Sequence, residues 1–312
     1  LKKVLKRCIA IGTSTILLIS MFATTASAQS WNDVNAKAPV SNVACENSAN
    51  LVNNSSASDI AFGLKKSEMA NKVATITEND QSDPTSVTSD DVATIQSYIN
   101  TYAPDANVNM YLPKKNPKIG ITPMLAGDGS SKFLNLPGQV QLNDYYCGPE
   151  TAYAILGGRG ISTTQAKMAT LAGTTSSGTV MSNLLSAMNS YNGTNGNYFK
   201  YAVVYGPGSN TTAWYNTMTA DAITTLNGGY GTVYNVHMVN TPGSARLAGY
   251  DTMVASNIYH YVAGEGYNST NTSNRICDYY DSNNEKSNLG TRHEQISFTT
   301  MAILTDDMSI GF

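Results

Sequence analysis

The spacing of apolar residues changes once along this chain, and that change limits the folds open to it. Before residue 227 the apolar positions recur at helical intervals. Helices are predicted from Lys65 to Ile76, where Met69 and Val73 stand one turn apart, and from Ser89 to Tyr102. Ser89 or Asp90 caps the second, and Val92, Ile95, Ile99 and Tyr102 share one face. Four more follow: Gly148 to Leu156, Ser162 to Leu171 with Ser162 as cap, Thr179 to Tyr191, and Thr211 to Leu226. From Thr232 the pattern turns strand-like and rich in Val, Tyr and Ile, with runs Thr232 to Val239, Ile258 to Ala263 and Arg275 to Tyr280. Helices first and strands second imply an α+β fold.

The ends carry other information. Lys2, Lys3, Lys6 and Arg7 precede an apolar stretch from Ile9 to Phe22, and Ala26-Ser27-Ala28 makes a small-x-small cleavage site. Residues 1–28 therefore read as a signal peptide, with a mature start at Gln29 and export as the destination. No second long apolar run follows, so no membrane attachment is expected once the signal is removed. Residues 29–130 read as a pro-segment or an accessory and linker region. Their first part is rich in Asn, Ser and Ala without lasting periodicity, and their last part, from Ala103, carries Pro, Lys and Gly. The better organised part is 131–312. A net charge of −3, with charged residues at only 13%, leaves no basic footprint for nucleic acid.

Cysteine arithmetic sharpens the picture. Cys8 leaves with the signal, and Cys45, Cys147 and Cys277 remain. An odd number in an exported chain points to a free thiol or an intermolecular bond. With Cys147 as the free thiol, Cys45 and Cys277 are left to pair.

Cys147 opens the helix Cys147-Gly148-Pro149-Glu150. Unpaired N–H groups and the dipole at a helix start favour a thiolate. Gly148 lets the backbone approach a substrate, and Pro149 suits the first turn because its missing N–H costs nothing there. Ala152, Ile155 and Leu156 form the buried face, and Gly157-Gly158 ends the helix. The competing reading is an inert, buried structural cysteine. Six positions upstream, Gln141 carries an uncharged double donor suited to an oxyanion. Gln139 competes, and on an extended segment the two share a face.

Nucleophilic cysteine chemistry needs a base. Of the three histidines, His260 lies in an apolar strand that runs into Gly264-Glu265-Gly266, a rigid mount for an imidazole. His237 reads as a strand residue satisfied by a partner, and His293 as a solvated residue in a polar loop. The next strand offers carboxylates to orient the imidazole. Asp281 at its end is preferred, Asp278 is the alternative acid, and Asn283 is a third candidate.

Gln141, Cys147-Gly148-Pro149, His260 before a Gly-Tyr turn, and an acid closing the next strand together resemble the papain-like cysteine peptidases. More narrowly, they are similar to the bacteriocin-processing, double-glycine-leader peptidases and their secreted bacterial relatives. The resemblance spans roughly Leu136 to Asp307. It implies a papain-like peptidase domain over 131–312, with a helical half carrying the cysteine and an antiparallel sheet half carrying the histidine and acid. It also implies catalytic roles for Cys147, His260, Asp281 and Gln141. Two departures stand out. Leader-processing members are commonly fused to a transporter, and no transporter segment occurs in this chain. Members usually follow the acid with proline, where this chain has Ser282.

The expectation is a secreted, monomeric cysteine peptidase that acts on peptide or protein, a hydrolase without cofactor or metal. Two alternatives share the fold: an endopeptidase or amidase of cell-wall peptides, and a non-catalytic binding module. Three dispersed histidines without close ligand spacing give little support to a metal site.

Overall fold

A computed structural model describes residues 55–115, 130–191, 198–251, 255–283 and 292–312. All fall in one unit, residues 38–312. The signal peptide, the start at Gln29 and Cys45 lie outside the described residues.

The N-terminal helices are α1 (Ala57–Ser82) and α2 (Ser89–Tyr102). Both begin in reciprocal capping boxes, Ser56 with Asp59 and Thr88 with Asp91. The cap of α2 is thus Thr88 and not Ser89 or Asp90: its hydroxyl accepts from the Asp91 N–H while Asp91 accepts from the Thr88 N–H. A single 3₁₀ turn, Val108–Met110, follows.

Strand β1 (Ser131–Phe133) leads through an extended segment to α3 (Cys147–Gly158). Then come α4 (Gln165–Ala172), α5 (Met181–Ser190), β2 (Val203–Tyr205) and α6 (Thr212–Asn227). Thr164 caps α4 through its hydroxyl, two residues after the expected Ser162. The remaining elements are β3 (Thr232–Val239), β4 (Asn257–Asn268), β5 (Ile276–Tyr280), β6 (His293–Ser297), α7 (Phe298–Thr305) and β7 (Ser309–Gly311).

The strands form one antiparallel sheet in the order β2-β7-β3-β4-β5-β6, with β1 beside the far end of β4. Strand β4 is the spine. Its first part pairs with β3 from Asn257 to Gly264, and its later part pairs with β5 from Ala263 to Asn268. The ladder breaks register between Gly264 and Gly266, which re-aims Glu265 at the bulge. Helix α3 packs on β4, and α1 packs on α6.

One hydrophobic core runs through the described residues. It joins Val73, Ile95 and Tyr98 of the N-terminal helices to Ile155, Trp214, Tyr234, Val262 and Ile310. Lys66, a charged residue, is fully buried beside it. Its ammonium donates to the carbonyls of Lys200 (2.8 Å) and Phe312 (2.6 Å) and lies 3.9 Å from the Phe199 ring centre. Burial holds its pKa well below the usual lysine value, against the pull of nearby Asp221. Asp221 is itself buried and accepts from the Ser67 hydroxyl at 2.9 Å.

Candidate active site

The candidate residues lie on the segment before α3, the first turn of α3, β4 and the end of β5; the Gln141 N–H ties the first to the last through the Ser282 carbonyl, and α3 packs on β4. Asn143 shapes the entry. Its side-chain oxygen accepts from the Tyr145 N–H and its carbonyl from the Tyr146 N–H, making the tight turn that delivers the chain to Cys147. Helix α3 has no side-chain cap at Tyr146, so its leading N–H groups are not consumed locally. Gly148 packs internally: a Cβ there would lie 3.0 Å from the Thr179 side chain and 3.3 Å from the Tyr261 ring. Its small size therefore lets the helix start close on the sheet. The sequence had suggested room for substrate at this position.

Cys147 is fully buried and disulfide-bonded. Cys277 is free and buried, and burial raises its thiol pKa. These two observations overturn the expected pairing of Cys45 with Cys277 and the expectation of Cys147 as the unpaired thiol. Cys277 sits on β5, where burial and then the charges of Asp278 and Glu265 disfavour the thiolate against the hydrogen bond of Tyr234. The partner of Cys147 lies outside the described residues.

His260 is fully buried on β4. Its Nε2 lies 2.9 Å from Asp281 Oδ1, and its Nδ1 has no hydrogen-bond partner among the described residues. Asp281 is the first residue beyond the β5 ladder, and its side chain turns toward His260 of β4. The same Oδ1 accepts from the Asn283 N–H at 3.0 Å. Arg292 clamps the backbone from outside, its guanidinium donating to the carbonyls of Asp281 and Asn283 at 3.4 and 2.5 Å.

The other candidates fall elsewhere. Asp278 accepts from the Gln295 side chain at 2.5 Å, and burial pushes its pKa up to about 6. It is not bonded to His260. The Asn283 amide donates to the Tyr250 hydroxyl at 2.8 Å, and the Tyr250 ring lies 6.2 Å from the His260 ring, centre to centre.

Gln141 is buried. Its Nε2 donates to the Asn143 carbonyl (2.8 Å), and its Oε1 accepts from the Ser282 hydroxyl (3.2 Å). Its backbone N–H donates to the Ser282 carbonyl at 2.9 Å. Gln139 behaves differently, its side chain donating to the Tyr153 hydroxyl at the surface (2.7 Å). The two glutamines do not share a surface, because the segment is held by separate anchors and not by a regular ladder.

His237 bridges Asp307 (2.6 Å) and Asn257 (2.9 Å), as expected for a satisfied strand histidine. The hydrogen bond that it donates to Asp307 is the main reason its pKa is raised. His293 differs from the expected solvated loop residue. It opens β6, and its Nδ1 lies 2.7 Å from the buried Glu265 carboxylate. Strand pairing with Tyr280 draws it in, and its ring meets the rings of Phe133 and Tyr280 edge-on.

Three contributors were not singled out from the sequence. Gln165, buried at the start of α4, grips the segment around Gln141 by accepting from the Leu142 N–H (3.0 Å) and donating to the Val140 carbonyl (2.8 Å). Glu150, buried on α3, accepts from the Gln139 N–H (2.7 Å), and burial pushes its pKa up to about 8. Tyr250 comes from an irregular stretch. Burial, then the charge of Asp281, raises its pKa well above the usual value. The only sign of Glu150 was its place three residues after the cysteine.

Residues 133–301, more than half of the chain, match the family described as the Peptidase_C39 like family. The chain belongs to the Peptidase_C39 like family. No curated protein and no solved structure matches it. The Peptidase_C39 like match supports a papain-like cysteine peptidase family, and the mixed helical and antiparallel architecture is consistent with a papain-like α+β fold. The matched span contains Gln141, Cys147, His260 and Asp281.

Proposed function

We infer that this protein is a cysteine peptidase that cleaves a peptide bond through a thioester on Cys147. The observation that carries the reading is the buried hydrogen bond from His260 Nε2 to Asp281. It fixes the imidazole by one nitrogen and leaves Nδ1, which has no partner among the described residues, for a thiol.

The reading concerns the reduced protein, because a disulfide sulfur is not a nucleophile. His260 Nδ1 takes the thiol proton and Sγ bonds to the carbonyl carbon. The carbonyl π pair moves to oxygen, where the Gln141 amide and the Cys147 N–H stabilise it. Collapse expels the amine, which leaves with the proton from His260. Water, deprotonated by the same imidazole, then hydrolyses the thioester. No cofactor enters these steps.

The basic and then apolar N-terminus with Ala26-Ser27-Ala28 supports export as a cleaved protein. N-terminal sequencing of the protein from culture medium should give Gln29.

The deciding experiment is hydrolysis of a peptide library by the reduced protein and by Cys147→Ala. The variant should fold and cleave nothing. Equal cleavage by both proteins would sink the reading.

A further inference from the structure

We propose that Ser282 is a positioning residue that sets the amide of Gln141 for catalysis, a proposal that rests on the peptidase reading above. Ser282 is buried and directly follows Asp281. It holds Gln141 twice. Its carbonyl accepts from the Gln141 N–H at 2.9 Å, and its hydroxyl donates to Gln141 Oε1 at 3.2 Å.

The second bond decides which end of the amide is which. A carboxamide can be turned over at little cost unless donors and acceptors around it differ. Here a hydroxyl donor faces Oε1 and the Asn143 carbonyl faces Nε2. One Nε2 hydrogen is used by Asn143, and the other is left for an oxyanion. Ser282 thereby ties the residue that meets the developing charge to the loop that carries the acid of the His260 pair. A proline here would keep the carbonyl and lose the hydroxyl, so this chain's serine adds a contact that proline cannot make.

The step being served is thiol addition across a carbonyl: the S–C bond forms, the π pair goes to oxygen, and the thiol proton rests on His260. Gln141 acts on the oxygen, so Ser282 affects only reactions that generate an oxyanion. Alkylation by iodoacetamide forms an S–C bond at a saturated carbon and expels iodide, with no oxyanion. That contrast separates positioning from a merely structural role.

The experiment compares reduced wild type, Ser282→Ala and Ser282→Thr by three readings: kcat and KM on a cleaved peptide, affinity for a peptide aldehyde, and the rate of Cys147 alkylation by iodoacetamide. Ser282→Ala should lose about tenfold in kcat, the scale of one ordinary hydrogen bond, with KM unchanged. It should bind the aldehyde more weakly by a similar factor and alkylate at the wild-type rate, and Ser282→Thr should restore kcat. Wild-type kcat and aldehyde affinity in Ser282→Ala overturn the proposal alone. Parallel loss of hydrolysis and alkylation with a lowered melting temperature also overturns it, in favour of a structural role. Wild type that neither cleaves peptides nor binds the aldehyde overturns the peptidase reading, and this proposal with it.

Discussion

His260 and Asp281 are joined by a 2.9 Å hydrogen bond through Nε2, and both side chains are buried. Asp278, three residues earlier on the same chain, is instead bonded to Gln295. The pair gives a direct contrast. Asp281→Asn should lower kcat/KM by about 10²-fold or more, because an amide can present the wrong group to the imidazole and cannot stabilise its charged form. Asp278→Asn should stay within a fewfold of wild type. Steady-state kinetics on one peptide checks both, and the reverse order would reassign the acid.

The disulfide at Cys147 predicts redox dependence. Protein kept oxidised should neither cleave peptide nor take up iodoacetamide at Cys147. A dithiol reductant should release both activities by thiol exchange, leaving two protein thiols and an oxidised reductant. Cys277 should stay unlabelled under native conditions in either state, since it is buried and its thiol pKa is raised. Peptide mapping by mass spectrometry reads the two sites separately. Full activity without reductant would show that the bond does not persist in solution.

Much of the architecture was legible because it rests on local pattern. Helix α2 and strand β3 fall at the expected residues, and the start of α3 at Cys147 follows from the Cys-Gly-Pro-Glu chemistry. Short elements were not legible. Strands β1, β2 and β7 span three residues each and gain their form only from the neighbours they pair with. Within the site, local sequence could rank Asp281 above Asp278 but could not decide between them, because the decision lies in where β5 ends against β4. The Gln165 clamp and the Ser282 hydroxyl bond join positions that are distant in sequence, and no periodicity marks them. The cysteine pairing was misread for a related reason: spacing carries no information about which sulfurs meet.

Glu150 predicts a pH effect on stability. A buried carboxyl raised to about 8 binds its proton more tightly in the folded chain than in the unfolded one, where glutamate titrates near ~4.3. Its stabilising contribution is therefore fully present below the unfolded value and lost as pH rises through about 8. Asp278, raised to about 6, adds a loss at lower pH. The melting temperature should fall from about pH 4 to about pH 8 and level off above that. Glu150→Gln, which keeps an oxygen acceptor for the Gln139 N–H, should flatten most of that fall. Identical pH profiles for the two proteins would remove Glu150 as the cause.

The last prediction concerns the N-terminal helices. A removable pro-segment must leave behind a domain that can fold alone. Helices α1 and α2 bury Val73, Ile76, Ile95, Tyr98, Ile99 and Tyr102 in the shared core. At about 1.5–3 kcal/mol for each large apolar side chain, their loss is on the order of 10 kcal/mol, comparable with the ~5–15 kcal/mol that holds an ordinary domain together. Removal also strips Asp221 of the Ser67 hydroxyl, and the Thr224 hydroxyl of the Ala70 carbonyl. A chain that begins at Ser131 should therefore lack a cooperative melt, lose near-ultraviolet circular dichroism and bind a hydrophobic dye. A chain that begins near Ser55 should melt like the longer protein. A sharp melt from the Ser131 chain would mean that the helices are an addition to a domain that stands by itself, and would favour the pro-segment reading.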